Sequence, residues 1–254
     1  MLALLSVRYG RNCFCLERND AMPFFYYGFD PTYFLVLIGV VLSLLASGLV
    51  KSTYAKYAKV NSHSGMTGAM AAERLLYRAG IYDVKIQRVA GHLTDHYDPR
   101  NKTLNLSDAV YQHTSIAAIG VAAHECGHAI QHARGYVPLK LRSAFVPVAN
   151  FGATLSWPLI LLGILFGSFR VLVPLGIFLF SFSVLFQLIT LPVEFNASNR
   201  AIKLLQENGI LYGAEVGQTK KVLSAAAMTY VAAAAASILQ LLRLILLFGQ
   251  RNRD

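Results

Sequence analysis

HECGH at positions 124–128 is the stretch around which the rest of the chain can be interpreted. It lies within 115–134, SIAAIGVAAHECGHAIQHAR, a run whose composition favours a helix. Residues four apart on an α-helix lie one turn above each other, so His124 and His128 project from one face. Two imidazoles at this spacing can share one zinc ion, and Glu125 stands beside them to handle protons on a bound water. The stretch therefore predicts a zinc-binding helix rather than two surface histidines that fall four apart by chance.

The composition of the 254 residues is typical of a membrane protein. Hydrophobic residues make up 55% and charged residues only 14%, well below the charged fraction of soluble domains. The formal net charge of +10 comes with no nucleic-acid motif and no basic cluster interleaved with aromatic residues, so no nucleic-acid partner is predicted. Cys13, Cys15 and Cys126 do not make a disulfide framework, and Cys126 is interpreted as a small packing residue.

Four uncharged or nearly uncharged apolar runs are long enough to cross a bilayer, at 33–50, 144–166, 171–191 and 226–248. The last run can span the membrane or lie at its interface as an amphipathic helix. Lysines and arginines concentrate on the side of the HExxH motif, whereas the loop between the second and third runs carries Arg170 alone. By the positive-inside rule, we expect a multi-pass protein of the cell (inner) membrane with the motif facing the cytoplasm.

Three local elements are predicted between the first span and the motif: a helix at 66–79, a short strand at 84–89 and a short helix at 108–112. Thr67, Ser107 and Ser115 are the expected N-caps of the first helix, the short helix and the HExxH helix.

A β-hairpin is predicted just before the HExxH helix. The segment 93–107 has the turn signal DPRN between two short alternating arms. Its edge strand can pair with an extended peptide beside the metal, or it can simply pack under the helix. Asp95, His96 and Asp98 are interpreted as exposed polar residues near the turn and are not assigned to the metal site.

A catalytic zinc needs a third protein ligand besides the two histidines, together with an open position for water. Glu194 lies at the end of the third apolar run, on what reads as the opening turn of a helix that begins at Pro192. A lone glutamate at such a position is more often a partner of the helix dipole. The residues alone leave other candidates open, namely Glu207, Glu215 and His132.

HECGH, the preceding LTDHYDPR at 93–100 and VEFNASNRA at 193–201 together resemble the YugP-like family of membrane-bound neutral zinc metallopeptidases. The resemblance covers nearly the whole chain from Met22. The EFNAS piece is also similar to the EFxAD pattern of HtpX-like integral-membrane proteases, gluzincins in which that glutamate is the third ligand. The resemblance implies that His124, His128 and Glu194 bind Zn²⁺.

The same resemblance implies that Glu125 is the catalytic base. Ser198 departs from the HtpX-like pattern, which has at that place an aspartate that orients a ligand histidine. Because such partners tune a metal site, the orienting group of this chain must be another one, and Asn196 and Ser198 are the candidates.

The fold class expected from these observations is a mainly α integral membrane protein. It has about four transmembrane helices and a cytoplasmic zincin-like catalytic region that contains a small β-hairpin. The expected segments are an upstream extension at 1–21, the N-terminal transmembrane helix at 22–50, the catalytic region at 51–143, a transmembrane hairpin at 144–191, a cytoplasmic helical region with the third ligand at 192–226, a fourth transmembrane or interfacial helix at 227–248 and a tail at 249–254. The extension, with Met22 as the initiator, is inferred because 1–21 have mixed polarity, three arginines and no apolar core long enough for a signal peptide. Any peptide from 2–18 of the native protein would exclude it.

The expected function is that of a zinc-dependent membrane metalloendopeptidase, whose polypeptide substrates are membrane or misfolded proteins at the cytoplasmic face. The tetrahedral oxyanion needs a donor besides zinc, and Tyr111, Tyr212 and His96 are candidates that the sequence does not rank. Two alternatives remain open. One is an intramembrane site-2-type protease, although the chain lacks an LDG-like motif. The other is a non-catalytic zinc-binding membrane protein, which would need four protein ligands.

Overall fold

The computed structural model describes residues 30–166 and 171–248, and the expectations for the extension, the loop 167–170 and the tail lie outside them. The described part is mainly helical, with a three-stranded sheet. Its elements in chain order are α1 (Tyr33–Tyr57), α2 (Gly68–Arg78), β1 (Lys85–Val89), β2 (His96–Asp98), β3 (Thr103–Ser107), α3 (Asp108–Tyr111), α4 (Ile116–Ala133), α5 (Val137–Leu165), α6 (Leu172–Glu207) and α7 (Ala214–Phe248).

Four helices, α1, α5, α6 and α7, are long and apolar enough to cross a membrane, which confirms the predicted number of spans. All four extend beyond the apolar runs: α1 and α6 continue to Tyr57 and Glu207, and α5 and α7 already begin at Val137 and Ala214. The prediction that a new helix begins at Pro192 is wrong, because α6 passes through this residue without a break. A proline removes one backbone donor, and helices packed against neighbours tolerate that loss. Glu194 therefore lies inside a continuous helix.

The long helices pack in pairs, α5 along α6 and α1 along α7, and α6 also packs against α7. Small residues allow the close approach of α5 and α6. A Cβ added at Gly152 would lie 2.6 Å from the backbone oxygen of Leu179, and one added at Gly176 would lie 2.8 Å from that of Ser156.

The sheet has the strand order β1-β3-β2. β2 pairs antiparallel with β3, with Tyr97 opposite Leu104, which confirms the predicted hairpin. β1 pairs parallel with β3, a pairing that joins the predicted strand to the hairpin and that the local pattern did not indicate. All five residues of β3 are buried, as expected for the central strand, and β2 is an edge strand beside α4.

The helix α4 that carries HExxH lies at the centre of the hydrophobic core and contacts α2, α6 and α7. Thirteen of its residues are buried, and its apolar face packs against side chains such as Leu75 and Leu205. Cys126 is fully buried, and its Sγ lies 3.6 Å from the backbone oxygen of Ala72. Burial raises the pKa of this thiol, which agrees with a packing role.

Two of the three predicted helix caps are present. The Ser115 hydroxyl accepts a hydrogen bond from the Ala118 amide, and the Thr67 hydroxyl accepts one from the Met70 amide. Ser107 stands at the N-cap position of α3 but makes no capping bond. Its hydroxyl donates to Asp95 instead, so the prediction of a Ser107 side-chain cap is wrong. The half-buried Asp95 carboxylate competes successfully with the backbone amides for this hydroxyl.

Gly127, inside the motif, allows α4 to approach α6. A Cβ at this position would lie 2.7 Å from the backbone oxygen of Ala197 and 3.1 Å from its Cα. We expect Gly127→Ala to lower stability by about 1–3 kcal/mol, because the added methyl group meets rigid backbone. Gly217→Ala is the control, since its Cβ would enter open space. Thermal unfolding of the detergent-purified variants measures the difference, and equal melting temperatures would contradict the close contact.

Candidate metal centre

Three potential metal ligands come together from two helices. His124 and His128 project from α4 with their rings 4.7 Å apart, and Glu194 reaches them from α6. The Glu194 Oε2 lies 3.3 Å from His124 Nε2 and 3.5 Å from His128 Nε2. The three donor atoms all lie within 4.8 Å of one another. Glu194 is only 3% exposed, so its carboxylate is buried against the two imidazoles.

The orientation of the two imidazoles suits a metal. His124 Nδ1 lies 3.1 Å from the Ser198 hydroxyl, and His128 Nδ1 lies 3.1 Å from Gln131 Oε1. When each Nδ1 carries the ring proton and donates it to these oxygens, each Nε2 lone pair is left free and points toward Glu194. Two neutral imidazoles and one carboxylate form a donor set that zinc accepts. The residues present therefore fit a zinc ion.

Gln131 links the motif helix to α6, and it is not among the site residues predicted from the sequence. It is fully buried, and its Nε2 donates to the backbone oxygen of Val193 at 2.8 Å and to Asn196 Oδ1 at 3.0 Å. These bonds fix the amide so that Oε1 faces His128. Of the two predicted orienting groups, Ser198 thus contacts His124 directly, whereas Asn196 contacts His128 through Gln131. Gln131 lies three residues after His128 on one helix, and this spacing could have indicated the contact between them.

The charges around His128 favour its protonated form in the absence of a cation. Burial opposes protonation, but the hydrogen bond with Glu194 and the negative charges of Glu125 and Glu194 raise the pKa of His128 above its ordinary value. A proton and a metal ion compete for the same nitrogen, so metal affinity is expected to fall as the pH decreases.

Glu125 is buried beside the histidines and faces the sheet. Its Oε2 accepts a hydrogen bond of 3.0 Å from the Tyr97 amide of β2. The Tyr97 amide points to α4, so it lies on the side of β2 that does not pair with β3. The free edge of the hairpin and the glutamate of the motif therefore adjoin each other.

The other acidic and histidine candidates for the third ligand lie elsewhere. His132 is 2.8 Å from the Tyr97 hydroxyl, Glu207 pairs with Lys203, and Glu215 accepts the backbone amides of His63 and Tyr212. Among the described residues, the metal-binding group consists of the two motif histidines and Glu194.

The polar residues of the hairpin also have structural partners. His96 is exposed as predicted, but the prediction that Asp95 and Asp98 are exposed is wrong, since both are half-buried against these partners. Asp98 pairs with Arg100, and His96 contacts the Thr94 backbone oxygen and the Asn105 side chain. Asp95 accepts two hydrogen bonds from Ser107, through its amide and its hydroxyl. Burial raises the pKa of the Asp95 carboxyl group, although these bonds oppose the shift.

The candidate oxyanion donors are scattered over the described structure. Tyr111 lines a cavity with Thr67 and Ile86, and Tyr212 is 61% exposed. His96 has both ring nitrogens within hydrogen-bonding distance of other groups. Two groups that the sequence did not indicate adjoin the cluster: Arg142 Nη1 lies 3.6 Å from Glu194 Oε1, and the Tyr230 hydroxyl is within hydrogen-bonding reach of the same carboxylate.

Comparison with known proteins agrees with this geometry. A family model described as "Putative neutral zinc metallopeptidase" matches residues 32–249. The chain belongs to this family. "Putative membrane protease YugP" of Bacillus subtilis (strain 168) is 50% identical over 215 residues, which cover 85% of this chain and 95% of that protein. No solved structure matches the chain significantly. The resemblance to the YugP-like family is therefore confirmed, and membership supports a membrane zinc metallopeptidase.

Ser198→Ala is expected to weaken zinc binding about 10-fold. This is the lower end of the range for losing a residue that hydrogen-bonds a metal-binding histidine. The change removes the acceptor for His124 Nδ1 and leaves the three donor atoms in place. Competition with a chromogenic chelator measures the affinity. Ser181→Ala on the same helix is the control, because among the described residues that hydroxyl bonds the backbone oxygen of Phe178 alone. Equal zinc affinities of the two variants would contradict the orienting role of Ser198.

Proposed function

We propose that His124, His128 and Glu194 bind a catalytic zinc ion and that Glu125 is the general base of a peptide-bond hydrolysis. The observation that carries the proposal is the convergence of three donor atoms within 4.8 Å, in a buried site adjacent to Glu125. Membership of a zinc metallopeptidase family supports the same assignment.

The roles of the chain's own groups follow from this arrangement. A zinc ion at the site would supply Lewis acidity, which acidifies a water molecule and polarises the scissile carbonyl. Glu125 takes the proton of the water as its oxygen bonds to the carbonyl carbon, and returns the proton to the leaving amine nitrogen. The Tyr97 amide orients the Glu125 carboxylate for both transfers. Ser198 and Gln131 hold the two imidazoles in the tautomer that presents Nε2.

The hairpin edge is the proposed binding site for the substrate backbone. β2 has one side paired with β3, and its other side adjoins Glu125. An extended peptide that pairs with this edge would bring a backbone carbonyl close to the base. A cavity of about 340 Å³ next to the C-terminal turn of α4 offers space for a substrate side chain, and it is lined by Pro99, Arg100, Gln131, His132, Tyr136, Leu139, Lys140 and Ser143.

The proposed substrates are membrane or misfolded proteins at the cytoplasmic face. Support comes from the position of Glu194, which follows the apolar part of α6, and from the basic residues on the same side. With Cys13 and Cys15 replaced by serine, Asn101→Cys is expected to react with an impermeant maleimide only after the cells are permeabilised. The Cys126 thiol is buried, so it is not expected to react with the maleimide. Val171→Cys, which is 74% exposed, is the opposite-face control, and labelling of Asn101→Cys in intact cells would refute the orientation.

Two observations weigh against the alternatives. The helix α4 is not among the helices that could cross a membrane, whereas an intramembrane site-2-type protease carries its motif in such a helix. Within the described residues the metal-binding group offers three protein donors rather than the four of a closed structural site.

Zinc content and cleavage of casein by the detergent-purified protein test the proposal directly. We expect about one zinc per chain, loss of cleavage on treatment with a chelator and recovery when zinc is added back. Folded wild-type protein without zinc and without cleavage would refute the enzyme.

A further inference from the structure

The Glu194 carboxylate has a second side, which faces groups from two other helices. Its Oε2 is directed at the imidazoles, whereas Oε1 lies 3.6 Å from Arg142 Nη1 of α5. The Tyr230 hydroxyl of α7 is within hydrogen-bonding reach of Glu194 as well, and it lies close enough to Glu125 and Arg142 to interact with their charges. The site is therefore lined by the motif helix α4 and by three of the long apolar helices.

Arg142 has hydrogen-bonding capacity that its surroundings do not use. Its Nε is buried and has no hydrogen-bond partner among the described residues. The distance of 3.6 Å from Nη1 to Glu194 Oε1 is an ion-pair separation and exceeds the range of a hydrogen bond. A buried N–H without an acceptor is costly, so Arg142 is prepared to donate to a group that arrives with the substrate.

Tyr230 lies in the middle of α7, directly after Thr229. Its hydroxyl is within hydrogen-bonding reach of the proposed ligand, Glu194, and close enough to the proposed base, Glu125, to interact with its charge. During the hydrolysis the scissile carbonyl would lie next to both carboxylates. Its carbon would be attacked beside the base, Glu125, and its oxygen would lie beside the proposed ligands. A tyrosine hydroxyl that bonds Glu194 and lies near Glu125 is therefore placed within reach of this carbonyl.

We propose that Tyr230 and Arg142 are the donors that stabilise the oxyanion of the scissile carbonyl. This inference rests on the proposed peptidase function and adds two catalytic residues to it. Arg142 lies on α5 and Tyr230 on α7, so both donors come from helices of the membrane-spanning set.

The step balances without any further reactant. Glu125 takes one proton from the water, the water oxygen bonds to the carbonyl carbon, and the π electron pair moves onto the carbonyl oxygen. The Tyr230 hydroxyl and the Arg142 guanidinium donate hydrogen bonds to this oxygen and keep their protons. The pair then re-forms the C=O bond, the C–N bond breaks, and Glu125 gives its proton to the amine nitrogen.

Tyr230→Phe and Arg142→Gln test the donor role, with Tyr77→Phe and Arg78→Gln on the exposed face of α2 as controls. For each donor variant we expect kcat on a quenched peptide to fall about 100-fold, the effect of removing one oxyanion-hole donor. KM and the zinc dissociation constant are expected to stay within about threefold of the wild type, since neither residue is a ligand or part of the substrate-binding edge. The controls are expected to match the wild type.

Binding of a phosphonamidate dipeptide supplies a readout independent of turnover. Its anionic oxygens mimic the tetrahedral intermediate, so its dissociation constant is expected to increase in proportion to the loss of kcat/KM. Tyr230→Phe removes a single oxygen atom, so it remains informative if Arg142→Gln fails to fold.

Three results would overturn the inference or its foundation. Unchanged kcat in Tyr230→Phe, with active wild type, would refute the donor role of Tyr230 and leave the peptidase intact. Loss of zinc affinity in Arg142→Gln, with kcat restored by excess zinc, would show that Arg142 only positions Glu194. A wild type that holds no zinc and cleaves nothing would refute the proposed function itself.

Discussion

Glu125→Gln is expected to lower kcat about 1,000-fold while the protein retains its zinc, since a positioned general base contributes about 10²–10⁴-fold. Glutamine has the shape of glutamate but cannot take a proton from water at neutral pH. The glutamine Oε1 can still accept the hydrogen bond from the Tyr97 amide, so the buried side chain keeps its place between α4 and β2.

The measurement is steady-state cleavage of a quenched peptide, together with zinc content by atomic absorption. Glu73→Gln, on the exposed side of α2, is the control for the loss of one negative charge. Cleavage by Glu125→Gln at the wild-type rate would refute the role of base. Loss of its zinc would instead assign Glu125 to the coordination of the metal.

Glu194→Ala is expected to weaken zinc binding by more than about 100-fold. Losing a residue that only hydrogen-bonds a metal ligand costs about 10–100-fold, and losing a ligand itself is expected to cost more. The carboxylate is the only anion among the three donors, and its Oε2 lies within 3.5 Å of both imidazole Nε2 atoms. Without it, two neutral imidazoles remain, and Arg142 loses its negative partner, so a cation would meet an uncompensated positive charge.

Chelator competition on the purified variant measures this affinity, and cleavage is expected to be lost at zinc concentrations that saturate the wild type. Glu207→Ala is the matched control, because it removes an exposed glutamate from the same helix, where Glu207 pairs only with Lys203. Wild-type zinc affinity in Glu194→Ala would exclude this residue as the third ligand and direct the search to other donors.

The features that the sequence determined by itself are those whose cause is local. The spacing of His124 and His128 predicts one helical face, because the α-helix repeats every 3.6 residues. The length of the apolar runs predicts four spans, because the bilayer sets the minimum length. The hairpin at 93–107 is indicated by its turn residues and alternation, and it is present as β2 and β3.

Features that depend on distant contacts were decided by the tertiary structure. The continuation of α6 through Pro192 depends on packing, and the parallel pairing of β1 with β3 joins segments that no local pattern relates. The packing of α4 on α6 also brings Ser198 to His124 and directs the Gln131 amide.

Arg142 and Tyr230 illustrate this difference most clearly. In the sequence, Arg142 is one of several basic residues before a span, and Tyr230 is one aromatic residue in an apolar run. Only the packing of α5, α6 and α7 brings both side chains to Glu194. Local periodicity determines which residues share a helix face. The site depends on which faces then meet, and that is set by the close packing of the whole chain.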